Sequence, residues 1–523
     1  MSSGNMQNEP KYTGTTFWIA LVLIVVFLLY GVLATESLEA ASGVAFDFMV
    51  DSFGWLFLVG VFAFVVFVVY LMFSRTGNIR LGKDDEKPEY GLLTWFAMLF
   101  GCGMGIGLVF WGVSEPVNHF MAPPYGDPET AEAARTAMQY SFFHWSIHPW
   151  AIYAVIAGSL AYFTYRKGYP MLLSSTLVPL IGEDQIEGPI GKIVNLIGVF
   201  ATLFGLATSL GLGALSVGAG LNMLFGIEAT AGVGVVIIVV ITLAAIASTL
   251  TGIDRGIKWL SRIAMVLGLL LMVVVFLAGP TIFILDTFTV GVGDFMQNFL
   301  RMSFFIDSFE QNPWPGWWTI FYWAWWLSWS PFVGTFIARV SRGRTIREFV
   351  GGTLLAPSLL CIIWMSVFGG SAMEFELFGA GGLTEMVGAG EEFGFYALLE
   401  NFPAGQMLIF LGVLVVSIFF ITSSDSGTYV NGMLTSGGAL NPPRTVRAVW
   451  GALEGGIAAI LLLVGGLSAV QTTAVVVGLP VLILEVLMII CLIKALRADY
   501  APEEVKIKEA AKEAAKEAAR ETA

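Results

Sequence analysis

The sequence predicts an all-α polytopic membrane protein with twelve transmembrane helices. Three observations predict it. First, 57% of the 523 residues are hydrophobic and only 12% are charged, and the mean hydropathy is +0.80, a balance foreign to soluble domains. Second, apolar runs long enough to cross a bilayer fall at 14–34, 53–73, 92–113, 139–164, 189–225, 230–250, 258–285, 316–339, 349–372, 405–433, 445–468 and 470–496. Third, with the N-terminus inside, alternate loops collect 24 of the 26 Lys and Arg, and only Arg135 and Arg301 fall outside. Positive charge retained on one side orients spans, so both termini are expected in the cytoplasm and the span count is even.

The polar residues 1–13 precede two helices in 14–73. The first helix is no cleavable signal peptide, being about 20 residues long without a basic leader. An acidic outer loop, Glu36 to Asp51, joins it to the second. The third span carries Gly101-Cys-Gly-Met-Gly-Ile-Gly107. Glycine costs about 1 kcal/mol in a helix interior, so this density favours unwinding, which frees carbonyls to bind a cation; close helix packing is the other use of such glycines. Ser114-Glu115-Pro116 reads as an outer turn ending that span. In the fourth span Pro149 is expected to bend the helix between Trp145 and Tyr153. His144 and His148 lack cysteine or carboxylate partners nearby in sequence and read as polar packing residues.

The fifth span, 189–225, is too long to stand upright, so it tilts, bends or runs past the membrane. Residues 286–315 form an amphipathic connection along the outer surface. Six of the 16 tryptophans then fall between Trp317 and Trp329. At helical spacing Trp318, Tyr322, Trp325 and Trp329 share one face, with Trp326 beside them. Hydrocarbon does not require such a face. It suits a cation without hydrogen-bond donors, at about 0.5–2 kcal/mol per ring, or else a tryptophan packing seam. Pro331 and Gly334 permit a break in this span.

In the tenth span Thr422, Ser423, Asp425 and Ser426 present hard oxygens, suited to Na⁺ or to hydrogen bonds between helices. Glu454 and Glu485 are intramembrane carboxylates to which the sequence assigns no role. Residues 498–523 are a cytoplasmic Lys/Glu/Ala helix. The three cysteines lie inside spans and imply no disulfide framework. The net charge of −13 says little about the fold.

Trp318-Thr-Ile-Phe-Tyr-Trp-Ala-Trp-Trp326, Gly103-Met-Gly-Ile-Gly107, the Trp145, Trp150 and Tyr153 set, and Ser341-Arg-Gly-Arg-Thr-Ile-Arg-Glu348 together resemble the betaine/choline/carnitine transporter family over nearly the whole chain. The resemblance implies two extra N-terminal helices, then two inverted five-helix repeats of the LeuT type at 92–285 and 316–497, headed by broken spans, and a homotrimer. It implies an aromatic box of Trp145, Trp150, Tyr153 and Trp326, with Trp325 and Trp329 engaged as substrate moves inward and Met104, Gly105 and Gly107 beside it. A first Na⁺ site would use carbonyls of Gly101, Met104 and Phe419 and hydroxyls of Thr422 and Ser423. For a second Na⁺ site Thr202 and Phe332 match, but Leu206 stands where a threonine is needed. Choline-type members carry Asp where this chain has Gly107, which favours a zwitterion such as glycine betaine.

The functional expectation is Na⁺-coupled symport of a zwitterionic quaternary ammonium or sulfonium solute across a prokaryotic cell membrane. The alternatives are a sodium-independent carnitine/betaine exchanger and a choline carrier. An intramembrane enzyme would need a catalytic dyad or metal cluster inside the spans, and the sequence offers neither. A channel fits interrupted helices less well than alternating access does.

Overall fold

A computed structural model describes residues 14–103, 105–251 and 257–521. Among them the architecture is all-helical, with a lone bridge between Arg80 and Thr345 as its only β pairing. The apolar runs form α1 (Thr15–Leu33) and α2 (Thr35–Phe73). The expected acidic loop is the first part of α2, a 39-residue helix. Nothing at Glu36 to Asp51 breaks a helix, and water accepts the charges beyond the apolar run.

Glycines interrupt the third span as expected. α3 (Leu92–Gly103) stops, Gly105 takes a non-helical conformation (φ −156°, ψ −125°), and α4 (Ile106–Met121) begins. Ser114-Glu115-Pro116 is not a turn. It lies inside α4, buried, because α4 packs α5 and a later helix against its outer end.

The fourth span is α5 (Ala131–Trp145) and α6 (Ile147–Ala161), and the chain leaves helical geometry at Ser146 (φ −105°, ψ −116°). The bend thus sits one turn before Pro149. A proline cannot bond the carbonyl four residues back, and that carbonyl belongs to Trp145. The fifth span is one helix, α7 (Pro189–Phe225), of 37 residues, longer than an upright crossing needs. α8 (Ala231–Thr251) and α9 (Ile257–Ala278) follow. α10 (Thr281–Ser303) turns by 108° from α9, which matches an amphipathic connection lying across the bundle. The predicted seventh span therefore ends at Ala278 rather than 285.

α11 (Phe321–Val340) carries the tryptophan face. The expected break at Pro331 does not occur. Proline leaves the Leu327 carbonyl without its amide, and the Ser330 hydroxyl donates to that carbonyl at 2.8 Å, so the helix continues. Gly334 serves packing instead: a Cβ there would meet Ile156 Cγ2 of α6 at 2.1 Å.

α12 (Ile346–Phe378) opens with a reciprocal cap between Thr345 and Glu348, and α13 is Gly405–Thr435. α14 (Arg444–Ala469) and α15 (Gln471–Asp499) are two spans, and the chain departs from helical angles at Gly465 and Gly466, near the end of α14. Helical backbone continues through the charged tail to Glu521.

Among the described residues eight helices are long and apolar enough to span a membrane, or nine if the bent α9–α10 pair counts as one. The other predicted spans escape that criterion for identifiable reasons. α3 to α6 are 12 to 16 residues each because their spans are broken, and α11 is diluted by Trp, Tyr and Ser.

α11 sits at the centre, against α6, α7 and α15. Three glycines set those distances. Besides Gly334, a Cβ on Gly205 of α7 would lie 2.7 Å from Ser328 Oγ, and one on Gly478 of α15 would lie 2.8 Å from both Cα and O of Ala324. Without water to drive association, such backbone-close contacts hold membrane helices together.

Gly334→Ala should therefore lower the thermal unfolding temperature of detergent-purified protein, since overpacking costs about 1–3 kcal/mol. Gly456→Ala, whose added carbon would stand 3.6 Å from Leu28 Cδ1, should leave it unchanged. Size-exclusion after a temperature series reads both.

Candidate functional site

The tryptophan face predicted for α11 is present and turned inward. Trp325 and Trp326 stack at 4.6 Å and 15°, Trp326 and Tyr322 at 5.8 Å and 27°. Trp145, at the end of α5, meets Trp326 edge-on at 4.9 Å and Trp325 at 6.2 Å. Trp329 stands edge-on to both Trp325 (5.9 Å) and Trp326 (6.3 Å). No ring of this group exceeds 3% exposure. Trp150 and Tyr153, one turn further along α6, pair with each other at 5.6 Å and 86°.

Each indole is aimed by its N–H. Trp326 Nε1 donates to the His144 carbonyl at 3.0 Å, a carbonyl freed by the chain break after α5, and Trp329 Nε1 donates to the Gly205 carbonyl at 2.8 Å. Trp145 Nε1 donates to Glu115 Oε2 at 2.6 Å. The indole N–H of Trp325 is buried and meets no acceptor among the described residues, and that of Trp150 faces the buried Cys361 thiol.

Glu115 is the residue that the sequence reading missed. Its carboxylate accepts from four donors: Trp145 Nε1, the Tyr322 hydroxyl at 2.5 Å, His144 Nδ1 at 2.7 Å and His119 Nε2 at 3.3 Å. These fill the four lone-pair positions of an ionised carboxylate. His144 Nε2 and the Thr319 hydroxyl are hydrogen-bonded at 2.9 Å, so both ring nitrogens of His144 are engaged and the ring is held toward Glu115. His144 is thus more than a packing residue. Its carboxylate partner lies 29 positions away, on the preceding helix. Glu115, His119 and His144 also have ligand atoms within 4.8 Å of one another, but the four donors already use the carboxylate. His148 is a packing residue, bonded to Ser303 at 3.0 Å and stacked on Trp323 at 4.9 Å and 12°.

A negative charge behind Trp145 acts on the cage. It accepts the indole N–H, raising electron density on the ring, and it adds a Coulombic attraction for any cation in front. No single motif encodes this. A Glu inside an apolar span was the available signal, and the adjacent proline masked it.

Gly107 does not leave room beside the cage. A Cβ there would lie 2.6 Å from Trp325 Cη2 and 3.1 Å from Trp145 Cη2, so its hydrogens are part of the cage wall. An Asp at this position would have to displace an indole before it could offer charge.

The hydroxyl set gathers at the chain break between α3 and α4. Thr422 Oγ1 donates to the Phe419 carbonyl at 3.1 Å. Gly105 faces the same turn of α13, its would-be Cβ 3.5 Å from Ser423 Oγ and 3.9 Å from Phe419 Cδ1. Gly101 has no side chain or backbone within 4 Å of its would-be Cβ, and Met104 lies outside the described residues. For the second set, Thr202 is fully buried with an unpartnered hydroxyl, and Phe332 packs edge-on against Trp329 at 5.9 Å. Leu206 fills the groove over Gly427, where a Cβ would meet its Cδ1 at 1.9 Å.

Multiple apolar spans, two interrupted helices and a sealed aromatic cage with a buried counter-charge define a polytopic membrane transporter. The chain belongs to the BCCT family: the model described as betaine/carnitine/choline family transporter matches residues 15–501. It is 47% identical over 503 residues to the glycine betaine transporter OpuD of Bacillus subtilis, covering 96% of this chain and 97% of that one. It is 42% identical to a probable glycine betaine transporter of Desulfitobacterium hafniense (94% and 99% covered) and 40% identical to an ectoine/hydroxyectoine transporter of Virgibacillus pantothenticus (92% and 96%). The family and these relatives are transporters, not enzymes.

Glu115→Gln replaces one acceptor oxygen by a donor and removes the charge. Charge-assisted bonds contribute about 1.5–3 kcal/mol each, so the apparent KM for substrate should rise at least about tenfold. Uptake normalised to surface expression reads it, and an unchanged KM would reduce the network to packing. Gly107→Ala should weaken uptake in the same assay through displacement of Trp325.

Proposed function

We propose that this protein is a Na⁺-coupled symporter of a zwitterionic quaternary ammonium solute, glycine betaine first among candidates, working by alternating access. The observation that carries the reading is the cage: stacked Trp325 and Trp326 with Trp145 edge-on, and the Glu115 carboxylate behind Trp145. A trimethylammonium group donates no hydrogen bonds, and π faces hold it without leaving donors unpaired. The unpartnered indole N–H of Trp325 suits the other end of a zwitterion, whose carboxylate needs donors. Relatives named for glycine betaine and for ectoine both carry zwitterions, which supports the class more than the single compound.

In this reading the chain crosses the membrane twelve times with both termini cytoplasmic, its last ten spans form two inverted repeats, and it assembles as a homotrimer in the cell membrane. Sodium is the coupling ion. Its first site is built from Phe419, Thr422 and Ser423 on α13 and the carbonyls of Gly101 and Met104. Hard oxygens of hydroxyls and carbonyls fit Na⁺, and Gly105 brings the broken segment against Ser423. Each Na⁺ entering with substrate contributes about 2.3 kcal/mol per 100 mV of membrane potential.

Trp326→Leu should raise the betaine KM about tenfold or more, since one ring contributes on the order of a decade in affinity, while Trp326→Phe should cost less. Thr422→Ala should move half-maximal Na⁺ activation to higher concentration and preserve uptake at saturating Na⁺. Proteoliposomes with imposed Na⁺ gradients and a panel of betaine, choline, carnitine and ectoine decide the reading. Uptake indifferent to Na⁺ would make the protein an exchanger, and choline preferred over betaine would make it a choline carrier.

A further inference from the structure

One carboxyl group inside the bundle has no part in the cage or in either hydroxyl set. Glu485 of α15 is fully buried, and its Oε1 lies 2.5 Å from the Ser330 hydroxyl oxygen of α11. Its Oε2 meets no hydrogen-bond partner among the described residues. Ser330 is the one side chain that acts on this carboxyl, and among the described residues no cation or other titratable group faces it from the helices packed around it. Ser330 immediately precedes Pro331. Its hydroxyl also stands 2.8 Å from the Leu327 carbonyl, the one that the proline leaves without an amide.

The two contacts of Ser330 need two hydrogens, and a hydroxyl has one. The Leu327 carbonyl can only accept, so the Ser330 hydrogen points to it. The contact with Glu485 is then made by a hydrogen on the carboxyl, donated to a lone pair of Ser330 Oγ. A neutral acid also accounts for the bare Oε2, since an ionised carboxylate without a cation would leave a buried charge with a single bond. Once ionised, the carboxylate would be the stronger acceptor and would draw the Ser330 hydrogen away from Leu327. The carbonyl would lose the donor that stands in for the missing amide, at the position where a proline helix kinks. An apolar side chain would fill the same space without the electrostatic cost. A carboxyl inside a span is explained by what its proton controls.

We propose that Glu485 is a proton-binding site that governs a hinge in α11 at Pro331. Protonated, it leaves the Ser330 hydrogen on the Leu327 carbonyl, and the helix runs straight from Trp326 and Trp329 past the proline. On losing its proton to water that reaches the carboxyl, it takes that hydrogen for itself, and α11 is free to bend beside Trp329. Glu485 and Ser330 are thus positioning residues that act on the cage through the helix. The proposal holds whichever ion drives uptake.

Infrared difference spectra of the purified full-length protein, wild type minus Glu485→Gln, test the proton directly. At neutral pH the wild type should show the carbonyl stretch of a protonated carboxyl, shifted in D₂O, that the variant lacks. A carboxylate band lost in its place would overturn the proposal. Should Glu485→Gln fold poorly, Glu485→Asp is expected to move that band, and a band left unmoved would overturn the assignment equally. Uptake tests the hinge. Glu485→Gln, whose amide cannot release its hydrogen, should keep KM within about twofold and lose at least about fivefold in maximal rate. Ser330→Ala leaves the Leu327 carbonyl without a donor in either state and should raise KM at least about threefold. Adding Glu485→Gln to Ser330→Ala should change neither parameter further, because the two residues act in series. An unchanged maximal rate in Glu485→Gln, or effects that simply multiply in the double variant, would rule out the hinge and reduce Glu485 to packing.

Discussion

One carboxylate with four donors holds the site together. Glu115 lies where α4, α5 and α11 meet, and its partners come one or two from each: His119 from α4, His144 and Trp145 from α5, Tyr322 from α11. A buried charge that is fully bonded is directional in a way that apolar packing is not. It fixes the rotation of Trp145, and through the His144 carbonyl it also sets Trp326. The cage is therefore oriented from its rim inward.

Much of this was legible in the sequence, and the limits are instructive. The aromatic face of α11 follows from side-chain spacing alone, and spacing survives folding. The glycine string broke its helix, as the cost of glycine in a helix interior leads one to expect. Pro331 did not break α11, because Ser330, one residue before it, supplied the missing donor. A sequence reading sees the proline and cannot see where a hydroxyl will point. Glu115 was hidden in the same way. Ser-Glu-Pro is turn chemistry when read locally, and only the donors on two other helices make a buried Glu tolerable at that position. Interactions between neighbours in the chain were readable, and partnerships across helices were not.

The hydroxyl set on α13 and the cage share a boundary at the α3–α4 break. Gly105 touches the turn bearing Ser423 and Phe419, and Gly107, two residues on, touches Trp325 and Trp145. A segment of three residues thus lies between the hydroxyls and the rings. A methyl group on Gly107 would displace an indole, whereas one on Gly105 would meet Ser423 at ordinary contact distance, so the segment is held tightly toward the rings and loosely toward the hydroxyls.

The contact between Gly478 and Ala324 has a mechanical meaning. Where two helices touch with nothing larger than the Ala324 methyl between their backbones, the line of contact behaves as a bearing. It resists separation and compression, and it offers little to catch on during sliding or rolling. α11 carries the cage across that line, so the stiffest direction of the site is perpendicular to α15 and its softest is along it.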